Sequence, residues 1–238
     1  MKPQFTNFPS SSLADSSHTS HVSGCFSTDS TVLTESGEHK AMSELAIGDK
    51  VLSMSDAGEA IYSEVVMFLD RNLQQSQEFV RMRTETNEVL TVTPAHLIMV
   101  WNPQKQLSDY VFADRIELGD YVLVHNKQGV LQPQKVVDLK AVHKRGIVAP
   151  LTAQGTIVVD SVAASCYAIL KSHSLAHWSL TPMRWGLKFK SWMPEKLRST
   201  AENKAVQSSG SQQNGIHWYA KSLYALKDYV LPKTWQYQ

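Results

Sequence analysis

The sequence predicts an all-β fold over residues 24–171, built from two duplicated halves and followed by a small, partly helical C-terminal segment. Three observations predict it. Short runs rich in β-branched residues recur between turn residues from Cys25 to Lys171. No long helical period interrupts them. An eight-residue pattern also occurs twice. Leu45-Ala46-Ile47-Gly48-Asp49-Lys50-Val51-Leu52 matches Ile116-Glu117-Leu118-Gly119-Asp120-Tyr121-Val122-Leu123, an offset of 71 residues (119 − 48).

The elements follow in chain order. Residues 1–23 are crowded with serine and hold little that could form a core, so they read as a disordered linker. The expected strands are Lys50-Val51-Leu52-Ser53-Met54, Glu64-Val65-Val66-Met67-Phe68-Leu69, Glu88-Val89-Leu90-Thr91-Val92-Thr93, Tyr121-Val122-Leu123-Val124, Lys135-Val136-Val137 and Thr156-Ile157-Val158-Val159. The offset of 71 also carries Glu64-Val65-Val66 onto Lys135-Val136-Val137. A one-residue slip sets Val92-Thr93-Pro94-Ala95-His96 over Val162-Ala163-Ala164-Ser165-Cys166. Gly-Asp before a strand is also ordinary turn chemistry. Three matches in one order nevertheless point to halves related by a pseudo-two-fold axis, and two copies are too few for a solenoid. After Lys171 the texture changes. Trp178, Trp185, Phe189 and Trp192 mix with Arg184, Lys188 and Lys190, and Ile216, Tyr219, Leu223, Leu226 and Val230 then recur at helical spacing up to Pro232. That helix either packs on the β unit or offers a surface to an apolar ligand or a membrane.

Bulk properties exclude more than they identify. A chain of 238 residues with 42% hydrophobic content is globular in composition. A formal net charge of +1 gives no argument for nucleic acid. No apolar run approaches the ~18 residues needed to span a bilayer, and no secretory h-region follows Met1. Two cysteines make no disulfide framework, and neither has the setting of a papain or caspase signature.

Gly24-Cys25-Phe26 and Thr93-Pro94-Ala95-His96 carry the chemistry. A thiol stands beside the carbonyl of the preceding residue, so the Gly24 acyl group can move from the Cys25 nitrogen to the Cys25 sulfur. Gly24 offers no side chain to obstruct attack and tolerates unusual backbone angles. The thiol needs an adjacent base or a depressed pKa to attack. An imidazole with an ordinary pKa of about 6.5 can protonate the departing nitrogen, and the Thr93 hydroxyl can hold the same peptide bond. Alone, Cys25 reads as a buried structural thiol, His96 as a structural histidine and Asp70 as a turn residue.

Together these residues resemble the Hint fold shared by inteins and hedgehog autoprocessing domains. The runs Ile47-Gly48-Asp49-Lys50-Val51-Leu52-Ser53-Met54, Phe68-Leu69-Asp70-Arg71-Asn72, Val148-Ala149-Pro150-Leu151-Thr152, Ser165-Cys166-Tyr167-Ala168 and Asn214-Gly215-Ile216-His217-Trp218-Tyr219 look like hedgehog domains, most of all insect ones. The resemblance implies cleavage at Gly24–Cys25 through an internal thioester, assisted by Thr93 and His96. Asp70 would activate a sterol hydroxyl, and the N-terminal segment, as acyl donor, would end esterified to cholesterol, a co-substrate, with no cofactor and no metal. Residues 24–171 would be the Hint domain and 172–238 a sterol-recognition region in contact with membrane. The setting implied is the secretory pathway and the cell surface, in cell–cell signalling during development.

Cys166 matches a family cysteine and is expected either as a reduced buried thiol or as a redox partner of Cys25 that delays processing. The family's signalling domain has no counterpart before Gly24, so the sequence is expected to be a fragment, a divergent product or an incompletely predicted gene. Two rivals stand beside the main reading. His125-Asn126 resembles the His-Asn pair that closes an intein, but Lys127 follows where splicing needs Cys, Ser or Thr. The other rival is a non-catalytic lipid-binding or interaction fragment.

Overall fold

Paired hairpins frame the structure. In the computed structural model, which describes residues 24–167, Lys50–Met54 (β4) lies antiparallel to the start of Ala60–Thr84 (β5), with Lys50 opposite Glu64. Tyr121–His125 (β9) lies antiparallel to the start of Leu131–Thr152 (β10), with Tyr121 opposite Lys135. The turns leading into β4 and β9 are the Gly-Asp repeats. Gly48 and Gly119 adopt φ of 95° and 97°, a region that glycine enters without a Cβ penalty. Each glycine N–H donates into the partner strand, to the carbonyls of Val65 (2.8 Å) and Val136 (2.9 Å). Asp49 and Asp120 each accept from the backbone N–H three residues earlier, at 2.8 and 2.9 Å. The repeat is therefore structural as well as local turn chemistry.

The other strands are Phe26–Ser27 (β1), Thr31–Leu33 (β2), His39–Ala41 (β3), Val89–Val92 (β6), Leu97–Asn102 (β7), Leu107–Phe112 (β8), Thr156–Val159 (β11) and Val162–Ser165 (β12). They complete one sheet system in the order β3-β2-β11-β12-β7-β9-β10-β1-β6-β5-β4, with β8 on β7. Helix among the described residues is confined to 3-10 turns at Met42–Glu44 and Ala113–Arg115, again 71 residues apart (113 − 42). The expected all-β fold with duplicated halves is what forms. The linker 1–23, the region 172–238 and its helix candidate lie outside the described residues.

Two expectations need correction. β5 and β10 are far longer than the runs read from sequence. They continue through Asn72-Leu73-Gln74-Gln75-Ser76-Gln77-Glu78 and through Lys140–Arg145 as a two-stranded ribbon. That ribbon has water on much of both faces, so its sequence lacks the apolar alternation of a half-buried strand. The third repeat match is also out of register. Phe26 faces Val92, and Ile98 faces Ala164, so the equivalent pairs lie 72 apart (98 − 26 and 164 − 92). Thr93 thus corresponds to Ser165, and Cys166 does not lie over His96.

The halves clasp each other. The Ala153 N–H donates to the Glu64 carbonyl and the Glu85 N–H to the Lys135 carbonyl, both at 2.8 Å. The main core is a buried aliphatic set, including Val51, Val65, Leu90, Ile98, Val122, Leu151, Ile157 and Val162, drawn from both halves. Burial of this kind contributes roughly 25 cal/mol per Å² of apolar surface.

Candidate active site

β1 has only two residues, yet it is wedged between β6 and β10, with Phe26 opposite both Val92 and Val148. Cys25 stands at its mouth. The Cys25 N–H donates to the Thr93 hydroxyl at 2.8 Å, and the Cys25 carbonyl accepts from the Thr93 N–H at 2.9 Å. A single threonine therefore grips both ends of the Cys25 backbone and fixes the nitrogen of the Gly24–Cys25 bond. Both residues are buried, in a fully covered site where neighbouring dipoles act with little screening from water.

The spacing of Thr93 and His96 has a local cause. Thr93-Pro94-Ala95-His96 is a turn closed by the His96 N–H donating to the Thr93 carbonyl at 3.0 Å, with proline at the position whose φ it pre-sets. The 3-10 turn at Ala113–Arg115 pins this turn from behind, through Ala113 N–H to the His96 carbonyl (2.8 Å) and Asp114 N–H to the Pro94 carbonyl (3.1 Å). The imidazole then packs on Phe26, centroids 4.2 Å apart.

His96 Nε2 lies 2.9 Å from the Ser165 carbonyl oxygen. That oxygen can only accept, so Nε2 carries the proton of the neutral ring. Nδ1 is buried, with no well-aligned hydrogen bond among the described residues. Burial pushes the ring's pKa down to about 4, against the pull of the Ser165 and Gly24 backbone groups, which favour protonation. At neutral pH His96 is therefore an uncharged ring with an available lone pair.

Asp70 lies two strands from Cys25. In β10, Val148 faces Phe26 on one side and Arg71 on the other, and Ala149 faces Asp70. Cys25 precedes Phe26 and shares a buried cluster with Ala149, so the register sets Cys25, Ala149 and Asp70 in one row on one face. Two strand spacings separate the row's ends, about 10 Å between backbones. The next residue, Arg71, turns to the opposite face. Its guanidinium donates to the carbonyls of Leu45 (2.8 Å) and Ser43 (2.6 Å) and closes the 3-10 turn at Met42–Glu44.

Cys25 and Cys166 are both buried thiols in this structure. They sit in different clusters: Cys25 with Phe79, Ile147 and Ala149, Cys166 in the main core. The Cys166 sulfur is 3.6 Å from the Thr152 hydroxyl. His125 ends β9, and the Asn126 side chain accepts from the N–H groups of Gln128 (2.9 Å) and Val130 (3.0 Å), so that Asn-containing pair serves a turn.

Residues 13–232 match the Hint module family model. The chain belongs to the Hint family. This Hint module is 58% identical over 222 residues to the protein hedgehog of Drosophila virilis, covering 92% of this chain and 46% of that protein. It is 59% identical over 227 residues to the protein hedgehog of Drosophila persimilis, covering 94% and 47%. The chain thus spans about half the length of these curated relatives, and the insect hedgehog likeness read from the sequence holds. Among solved structures, the DnaB intein from Synechocystis sp. PCC 6803 superposes with a TM-score of 0.51 at 11% identity, covering 60% of this chain and 98% of that one. The PabCDC21-1 intein gives 0.52 at 11%, covering 59% and 97%. These two show the fold.

Sequence reasoning missed two members of the Hint site. Phe26 was quoted as part of a motif, and its packing on His96 gives it a physical role. Ser165 contributes a backbone carbonyl, which no side-chain pattern announces. The internal repeat, aligned at 72, would have put Ser165 opposite Thr93.

Proposed function

We propose that this Hint module cleaves its own backbone at Gly24–Cys25 through a thioester and passes the N-terminal acyl segment to the hydroxyl of a sterol, cholesterol by family likeness. The observation that carries this reading is the Thr93 clamp on Cys25, with a neutral, buried His96 beside the same peptide. No cofactor enters the scheme.

The Cys25 thiol gives its proton to His96, and the thiolate adds to the Gly24 carbonyl carbon. Protonated His96 is held by the Ser165 carbonyl, which supports the cation transiently despite burial. The C–N bond then breaks, the nitrogen takes the proton back from His96, and Gly24 is joined to the Cys25 sulfur with a new amine on Cys25. Thr93 keeps that nitrogen in place throughout. In the second stage Asp70 accepts the proton of the sterol hydroxyl, whose oxygen attacks the thioester and expels the Cys25 thiolate. A sterol hydroxyl is a weak nucleophile, which is why a general base is required. Residues 172–238 would hold the sterol and meet the membrane, and the setting would be the secretory pathway and cell surface in developmental signalling.

The test is the intact mass of the purified chain after incubation with cholesterol in detergent, beside a sample given a small thiol. Loss of residues 1–24, recovered with one sterol on Gly24, is expected. Cleavage by thiol alone would limit the function to thioester formation. Absence of cleavage in both would leave a non-catalytic lipid-binding module.

A further inference from the structure

The row that ends in Cys25 and Asp70 has Ala149 at its centre. Ile147 and Val148 pair in register with β1, and Ile147, Val148 and Ala149 pair in register with β5, between register shifts at Arg145/Ile147 and Ala149/Pro150. Ala149 is 2% exposed, Cys25 0% and Asp70 5%, so the row is closed from bulk water. Directly opposed side chains in an antiparallel pair have Cβ atoms about 5 Å apart. An acceptor oxygen bonded to the Asp70 carboxylate and in reach of the Gly24 carbonyl therefore has to lie over position 149. It needs about 2.7 Å to the carboxylate and about 3.2 Å to the carbon it attacks. Side chains larger than the Ala149 methyl would extend into that position. Around it the face is apolar, with Phe79 and Ile147 buried and Leu69 and Val142 at the fringe, which suits a hydroxyl carried on a hydrocarbon body.

We infer that Ala149 is a positioning residue for the second stage: its small side chain leaves the gap between Cys25 and Asp70 in which the acceptor hydroxyl sits, and so selects for transfer to a bulky alcohol rather than for thioester formation. This rests on the reading proposed above. A small thiol needs no general base and does not have to bridge to Asp70, so the two nucleophiles separate the roles.

The experiment uses the full chain as wild type, Ala149→Gly, Ala149→Ser and Ala149→Val, with rates measured separately for dithiothreitol and for cholesterol in detergent across a range of sterol concentrations. Ala149→Val is expected to keep its thiol-driven rate within about twofold while its sterol-driven rate falls roughly 10- to 100-fold, the scale of an ångström-level misplacement. Ala149→Gly is expected to keep both. Equal losses in the two rates, or an unchanged sterol rate in Ala149→Val, would overturn the inference. If Ala149→Val loses thiol cleavage through misfolding, Ala149→Ser decides: a selective sterol defect supports the role, and equal or no loss overturns it. A wild-type chain that neither nucleophile cleaves would overturn the proposed function itself, and the role of Ala149 with it.

Discussion

At the scale of single residues, the site depends on two side chains that do different things to one peptide bond. Thr93 positions it. Thr93→Val keeps the shape and removes the hydroxyl that meets the Cys25 N–H, so thiol-induced cleavage is expected to fall roughly 10- to 100-fold, with Thr93→Ser retaining most of the rate. Time courses followed by intact mass would check this. In the proposed reaction His96 is the proton shuttle, and it is neutral in the fold. Between about pH 4 and 6.5 the unfolded chain binds a proton at His96 that the folded chain does not. Stability is therefore fully present above pH 6.5 and is lost as the pH falls through this window, by up to about 1.4 kcal/mol per pH unit from this group. Urea midpoints at pH 7.5 and 5.0 should show a smaller difference in His96→Gln than in wild type.

At the scale of elements, the duplicated Gly-Asp turns offer an internal comparison. Asp49 and Asp120 accept the same backbone hydrogen bond. Asp49 is further bonded by the Lys40 ammonium at 2.7 Å. Burial opposes ionisation of Asp49, but that ammonium and the Ala46 N–H outweigh it and hold the carboxyl below its usual range. Asp120 has no ion pair among the described residues. Asp49→Ala is therefore expected to cost more than Asp120→Ala, about 1.5 against about 1 kcal/mol, measured by chemical denaturation. β10 holds a sharper constraint at Gly146, where φ is +90° and an added Cβ would come within 2.3 Å of the Thr28 Cγ2. Gly146→Ala should destabilise by about 2 kcal/mol or more, and Thr28→Gly in the same chain should recover part of the loss.

The elements also show why some of the fold was legible in sequence and some was not. β4, β9 and β11 carry runs buried on at least one face, and their hydrophobic pattern announces them. The middle of β5, from Asn72 to Glu78, is polar because water reaches it, and nothing in its composition separates it from a loop. The Thr93-to-His96 turn was legible because proline and a four-residue spacing have local causes. The Ser165 carbonyl was not, because every residue has a carbonyl and only the sheet order brings this one to His96.

At the scale of the whole molecule, the halves share strand pairing. β5 pairs along much of its length with β10, and the Glu64 and Lys135 carbonyls are each satisfied by the opposite half. Fragments parted in the exposed turn between β7 and β8, near Lys105, are each expected to lack strand signal in circular dichroism and to regain it on mixing. Independent folding of either fragment would contradict this.

The same interdependence acts as a clock during synthesis. The Gly24–Cys25 bond, cleaved in the proposed reaction, leaves the ribosome 140 residues before the Ser165 carbonyl that sets the protonated nitrogen of His96 (165 − 25). At ordinary elongation rates of about 5–20 residues per second, that gap is roughly 7–28 s. Any polypeptide N-terminal to Cys25 therefore has this interval to fold while still tethered, before the proposed cleavage chemistry can be assembled.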